Sequence, residues 1–534
     1  MTFRCYLVLL GLSWAALYLP ALGDPELRGE EIRRILPAQG MLATGDWIVP
    51  RIAGEVYANK PPLINWAVAG MFALTGSDSE TSARLVSALS MLALALAAFL
   101  LSRKDLGDDR ACGIGLVLLT TLTLISKGRL IEIEALFTAL TGIACFLWIR
   151  LWRDRRSPWL VWTLPYLFLG LGCLVKGPIH LLFWLPFVFA TLWFARELRS
   201  LFHPAHGFGW LLMGMIFLPW VYLNVRAVGA GDQSVGNWIE ELAVRGDVSR
   251  MEWGRWLTNP IRIPGGFLPW TIPLAYALWH FRRTKDAFRR GTHGDAVLAG
   301  SLCAVASGFV LVCLTPGGLP RYLMPVYPLA ALATVSLFFR LPEATRMRYE
   351  TFGLRFHRLL VPVLLVAPGI LAQVASKRGE SVSLLLVFAG LVATGFAGWL
   401  VLVRWKSRSV FLTTPILIAA GGLGLLPAMQ PFQGDRDTFR KAALDIAGRV
   451  EAQDRIVVFA DAEFRNRLTK HLRLLYYLRE PIDGIGESGS VPSDTRLLLG
   501  RPEAASAMRE ILGRAPAQEE TLTIRGIPLL VWSL

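Results

Sequence analysis

Long apolar runs alternate with short connections rich in lysine and arginine. Thirteen stretches read as membrane spans: 5–22, 82–102, 111–126, 133–149, 158–175, 178–195, 208–225, 265–281, 296–314, 321–339, 358–375, 382–403 and 409–428. Each approaches or exceeds the ~20 mainly apolar residues that cross a hydrocarbon core as a helix. A further apolar run, Pro61–Gly76, is short and begins with Pro61-Pro62, so it reads as an interfacial or re-entrant helix.

The distribution of basic residues tests this assignment. With the N-terminus inside, the cytoplasmic tail and loops carry 23 Lys/Arg and the short outer connections carry 6. Counting 61–76 as a span would invert the bias, against the tendency of positive charge to stay inside. Met1–Gly23 has the form of a signal peptide or of an uncleaved first span, and either leaves Asp24 outside. The expected organisation is a transmembrane module at 1–428, with outer loops at 23–80 and 226–264. A soluble extracytoplasmic α/β domain follows at 429–534. In that domain the periodicity predicts helices at 437–452, 462–478 and 502–512, and strands at 455–460, 496–499 and 528–534.

Composition agrees with a mainly α, polytopic membrane protein. Of 534 residues 54% are hydrophobic and 18% charged, against about 25% charged in soluble domains. The net charge of +15 does not indicate a nucleic-acid partner, because the basic residues sit in loops between apolar runs. Cys5, Cys112, Cys145, Cys173, Cys303 and Cys313 lie in or beside apolar segments without metal-binding spacing, and read as packing residues. There is no phosphate-binding loop of the nucleotide type.

The topology gathers charge on the outer face. The first outer loop holds Asp24, Glu26, Glu30, Glu31, Asp46 and Lys60; later outer turns hold Glu132, Glu134, Lys176 and Arg321. Ionisable groups at span ends are candidates for function. A carboxylate there can be desolvated and made more basic; the competing view is a solvated loop whose acids pair with Arg28, Arg33 and Arg34. Glu132 and Glu134, two residues apart at the start of a span, are expected to point to different sides of the helix. Acids at a helix N-terminus are also favoured by its dipole. Lys60 before Pro61-Pro62 and Lys176 before Gly177-Pro178 each precede a helix start, a place suited to phosphate. Headgroup anchoring is the alternative for both and for Arg321. Paired acids are also a set that could hold a divalent metal ion, and the seven scattered histidines add no ligand pattern.

Three strings carry a resemblance. They are Met41-Leu42-Ala43-Thr44-Gly45-Asp46-Trp47-Ile48-Val49-Pro50, then Gly54-Glu55-Val56-Tyr57-Ala58-Asn59-Lys60-Pro61-Pro62-Leu63, then Arg321-Tyr322-Leu323-Met324-Pro325-Val326-Tyr327-Pro328. With Asp24–Glu31, Ala83-Arg84-Leu85 and Lys176-Gly177-Pro178, the first 340 residues resemble C-type, polyprenyl-phosphate-dependent glycosyltransferases. Bacterial aminoarabinose transferases of lipid A and the protein-mannosyltransferase-like group are the similar branches. The resemblance implies an inner-membrane enzyme that moves a sugar from a polyprenyl phosphate, with inversion. The acceptor would be a glycolipid such as lipid A, a polysaccharide or a protein. It also implies a catalytic acid early in the first outer loop and a lysine on the lipid phosphate. Glu26-Leu27-Arg28-Gly29-Glu30-Glu31 departs from the family's run, which leaves the acid open among Asp24, Glu26 and Glu30, with Glu132 or Glu134 in the second outer turn. Lys60, Lys176, Arg321 and Tyr322 would hold the donor phosphate. A lipid or sugar transporter would instead place charges near the bilayer midplane, and a non-catalytic scaffold would lack turnover.

Overall fold

The computed structural model describes the chain apart from Met1 and residues 53–54, 58–59, 229–252, 282–290, 406–408, 433–437, 450–454, 460–471, 479–482, 486–489 and 525–526. It divides into two compact units. One comprises Met1–Leu22, Asn59–Ile64 and Arg84–Phe432; the other comprises Gly23–Ala58, Asn65–Ala83 and Gln433–Leu534. The first unit ends four residues beyond the expected 428, and most of the first outer loop, expected with the transmembrane module, clusters with the C-terminal region.

The first unit is helical. Among the described residues ten helices are long and apolar enough to span a membrane, and one bent pair adds an eleventh candidate. The first expected span is α1 (Phe3–Tyr18), and the eighth contains α12 (Thr271–Phe281); both are shorter. The apolar run after Pro62 is α3 (Leu63–Thr75), 13 residues long and too short to cross as a helix. Most of the expected outer loop at 226–264 lies outside the described residues.

Helix boundaries follow local chemistry. α4 (Glu80–Leu106) opens on Glu80 and closes on Arg103 and Lys104, and α7 (Ile133–Arg153) opens near Glu134 and closes on Arg150 and Arg153. Both complement the helix dipole. α8 (Pro158–Lys176) stops at Gly177, whose φ of 74° is open to glycine, and Pro178 starts the next turn.

The bent pair, α5 (Asp108–Leu119) and α6 (Leu122–Gly128), breaks by 61° at Thr120-Thr121. A broken helix in a bilayer must find new partners for its backbone. Here Leu122 N–H donates to Leu268 O at 2.9 Å and Thr123 N–H to Gly266 O at 3.1 Å. The Trp270 indole donates to Thr120 Oγ1 at 3.1 Å.

Toward the C-terminal end of α7 the packing is aromatic. Trp148 stacks on Trp152 with centroids 5.4 Å apart and meets Trp162, Trp184 and Phe187. α16 (Leu384–Trp399) and α17 (Val410–Met429) approach so closely that a Cβ on Gly390 would strike the Gly424 backbone. Membrane helices, which gain no hydrophobic driving force from lipid, pack through such small residues.

The second unit begins with α2 (Gly29–Thr44), where Arg28 N–H donates to Glu31 Oε2 at 2.8 Å and Gly45 closes the helix with φ 74°. Ile32, Ile35, Ala38 and Met41 are buried along one face. The buried Asn65 donates to the carbonyls of Arg33 and Arg34. A short antiparallel pair, β1 (Arg51–Ile52) and β2 (Glu55–Val56), follows α2.

The C-terminal part contains α18 (Thr438–Ala447), β3 (Arg455–Phe459), α19 (Leu472–Leu478), β4 (Asp483–Ile485), β5 (Thr495–Gly500), α20 (Ala505–Leu512), β6 (Gln518–Ile524) and β7 (Ile527–Ser533). The sheet order is β4-β3-β5-β7-β6. Its β3 pairs are parallel and its β7 pairs antiparallel. Val457, Phe459, Leu498, Met508, Leu530 and Trp532 form its core. Part of the helix expected at 462–478 lies outside the described residues.

Candidate active site

Five of the nine residues singled out in the sequence meet in the first unit. Glu132 precedes α7 with extended backbone (φ −117°), while Glu134 occupies the first helical turn. Lys176 is the last residue of α8, and Arg321 and Tyr322 lie on the short 3-10 helix Pro320–Val326. Arg321 reaches both acids: Nη1 is 3.8 Å from Glu132 Oε2 and Nε is 3.5 Å from Glu134 Oε1. Lys176 Nζ lies 3.4 Å from Glu134 Oε1. Two residues apart on one helix, the acids would have pointed to different sides. The extended residue at 132 turns its carboxylate back, so that both converge on one guanidinium.

Lys127, counted in the sequence only as an outer charge, belongs to the cluster. From the last turn of α6 it donates to both Glu132 oxygens at 2.8 Å. The turn between α6 and α7 is fixed by Arg129, whose guanidinium donates to Leu17 O at 2.8 Å and Pro20 O at 2.6 Å. Tyr322 lines the cations: its ring centroid is 4.9 Å from Lys176 Nζ and 5.8 Å from the Arg321 guanidinium carbon, within reach of a cation–π attraction.

Both acids are almost wholly buried, at 6% and 5% exposure. Burial pushes the Glu132 carboxyl above the ordinary glutamate range and the charge of Glu134 adds to this, with Lys127 and Arg321 opposing. Among the described residues the cluster sets three cations, Lys127, Lys176 and Arg321, against two carboxylates. Arg321 is about one-quarter exposed and Lys176 about one-tenth, so the positive side is the accessible one. Such an arrangement holds cationic donors in place before an anion arrives, which is the condition for stabilising charge without reorganisation.

The first-loop acids fall in the second unit and differ from one another. Glu26 is buried, and its Oε1 accepts the N–H groups of Phe439 at 2.7 Å and Arg440 at 2.9 Å. Those are the second and third residues of α18, so Glu26 caps that helix from a distant part of the chain. Leu27 N–H donates to Tyr477 Oη at 2.9 Å, and Arg440 pairs with Glu80 at 2.8 Å. Glu30 is 3.4 Å from both Arg33 and Arg34 within α2. Asp24 is exposed. Lys60 is half-buried in the first unit. Among the described residues no group of three or more His, Cys, Asp or Glu side chains is placed to hold a metal ion.

Helices long and apolar enough to span a membrane, with polar groups gathered at their ends, describe a polytopic membrane protein, and comparison with known proteins places its fold. Residues 59–223 match the family model described as dolichyl-phosphate-mannose-protein mannosyltransferase. The chain is similar to the undecaprenyl phosphate-alpha-4-amino-4-deoxy-L-arabinose arabinosyl transferase of Pseudomonas paraeruginosa. Identity is 29% over 76% of this chain and 72% of that one. The enzyme of the same name from Pseudomonas aeruginosa LESB58 is also 29% identical, over 75% and 71%. In three dimensions the chain resembles ArnT from Cupriavidus metallidurans bound to undecaprenyl phosphate. The TM-score is 0.67 at 18% identity, covering 99% of this chain and 98% of that one. The chain therefore has the fold seen in that membrane enzyme.

Proposed function

We propose that this chain transfers a sugar from a polyprenyl-phosphate donor to an acceptor on the extracytoplasmic side of the bacterial inner membrane, with inversion at the anomeric carbon. The observation that carries the reading is the convergence of Lys176 and Arg321, from separate spans, on the buried pair Glu132 and Glu134. The names of the relatives supply the donor class, since they act from undecaprenyl phosphate. Lipid A is the first acceptor to test.

In this reading Lys176, Arg321 and Lys60 hold the donor phosphate, and Tyr322 lines the Lys176 and Arg321 cations. As the bond from the anomeric carbon to the phosphate oxygen breaks, the electron pair leaves with the phosphate, and the waiting cations stabilise that charge. The acceptor oxygen or amine attacks the opposite face of a carbon with oxocarbenium character. A carboxylate takes the acceptor proton. Asp24 is the base we assign. Glu26 is committed to the helix it caps and Glu30 to Arg33 and Arg34, whereas Asp24 is exposed. Glu132 and Glu134 orient the cations.

Purified full-length chain in liposomes, given undecaprenyl-phosphate aminoarabinose and lipid A, should form the modified lipid detectable by mass spectrometry. Asp24→Asn should cut kcat by about 10²–10⁴-fold, the range for loss of a general base, with KM little changed. Full activity of Asp24→Asn would remove Asp24 from the mechanism. Absence of transfer from any polyprenyl-phosphate sugar would overturn the donor class.

A further inference from the structure

A cavity lies in the first unit where five helix ends meet. It has a volume of about 210 Å³ and is lined by residues of α4, α5, α7, α13 (His293–Leu314) and the end of α14 (Tyr327–Phe338). Arg110, Arg153 and Arg340 line it with Asp105 as the one carboxylate, and Leu298, Val335 and Phe339 are among its apolar walls. The C-termini of α4, α7 and α14 and the N-termini of α5 and α13 all contribute. That set of ends belongs to the face that the Lys/Arg distribution assigns to the cytoplasm. The Glu132–Arg321 cluster uses the opposite ends of α7 and α14.

The charges of this cavity are not balanced within it. Asp105 is shared between Arg153 at 3.5 Å and Arg150 at 3.6 Å. Arg340 is held by Asp295. Arg110 lies over the Phe339 ring at 4.6 Å and has no carboxylate partner among the described residues. A guanidinium stacked on an aromatic keeps its donor edge available for an oxyanion. Beside it is an apolar hollow at the ends of these helices, walled in part by Ile149, Leu298 and Phe339.

We propose that this cavity binds the phosphate of an anionic phospholipid from the cytoplasmic leaflet, with Arg110 and Arg153 on the phosphate oxygens and the half-buried Phe339 side of the hollow against the glycerol end. Basic pockets between spans on this side of a membrane are suited to acidic headgroups. Free inorganic phosphate has the same charge chemistry but no apolar portion for the hollow.

The test is retention of phosphatidylglycerol by the purified full-length chain, measured by native mass spectrometry after extraction from mixed phosphatidylglycerol–phosphatidylcholine liposomes. Wild type should retain phosphatidylglycerol over phosphatidylcholine. Arg110→Ala with Arg153→Ala should reduce retention about fivefold per arginine, corresponding to ~1 kcal/mol for each basic group at a lipid surface. Arg404→Ala, on the same face but outside the cavity, should not. Ser336→Phe, at a half-buried lining position, fills the hollow and leaves the arginines intact, so it should also lower retention; it serves if the double variant fails to fold. Retention at the wild-type level in both cavity variants would overturn the site. Displacement of the lipid by millimolar inorganic phosphate, with no preference left for phosphatidylglycerol, would overturn the lipid assignment in favour of soluble phosphate.

Discussion

Glu26 offers the sharpest separation between a catalytic and an architectural carboxylate. One oxygen, Oε1, accepts both the Phe439 and Arg440 N–H groups, and the side chain is 7% exposed. Glu26→Gln can keep an oxygen in that place and loses only the charge. An anion at a helix N-terminus is worth ~0.3–2 kcal/mol depending on burial, so the glutamine variant should lose on the order of 1 kcal/mol. Glu26→Ala removes both bonds. At ~1.5–3 kcal/mol for a hydrogen bond to a charged group, and without full additivity, the loss should be about 3–5 kcal/mol. The assays are amide hydrogen exchange across residues 438–447 and steady-state transfer kinetics on the same samples. Glu26→Gln should keep helix protection within about tenfold and most of kcat, while Glu26→Ala should lose protection and activity together. Refutation would be a glutamine variant with wild-type protection and kcat down by 10² or more, for then the carboxylate is needed as a base.

Lys60→Ala should weaken donor binding by about 1.5–3 kcal/mol if its ammonium meets phosphate, read as a rise in KM for the donor with insertion unchanged. The Glu132 carboxyl binds its proton more tightly folded than unfolded, so its contribution to stability is full below 4.5, the ordinary glutamate value, and is lost as pH rises through the raised value. Glu132→Gln should flatten that part of the pH–melting profile, and an unchanged slope would contradict it. A reporter fused after Leu534 should be extracytoplasmic and one at Arg283 cytoplasmic; both on one face would end the thirteen-span topology.

Much of the helical unit was legible because its signal is local. Long apolar runs and terminal charges mark α4, α7 and α8 directly, and the acids and cations of the cluster stand at run ends. What the sequence hid depends on geometry between distant residues. Glu26 looks like any other acid of its loop, because the N–H groups that it serves lie 413 and 414 residues away. The shared engagement of Glu132 and Glu134 with Arg321 required the extended backbone at Glu132, which helical spacing does not announce. Lys127 reads as a topogenic charge until α6 bends it toward Glu132. β6 escaped notice for another reason: it is the edge strand of its sheet, mostly exposed, with Glu519 and Glu520 where a central strand would be apolar.

The joint make-up of the second unit, from residues 23–58, 65–83 and the last hundred of the chain, constrains the order in which the protein can be built. At ~5–20 residues per second, the stretch between Ala83 and Gln433 occupies the ribosome for on the order of 20–70 s. Throughout that interval the early loop is already synthesised, yet Glu26 has no helix to cap and Tyr477 does not exist to receive Leu27. The early segment must wait in an unfinished form while the intervening spans insert. A nascent chain interrupted before Phe439 therefore carries an incomplete fold at its beginning as well as at its end.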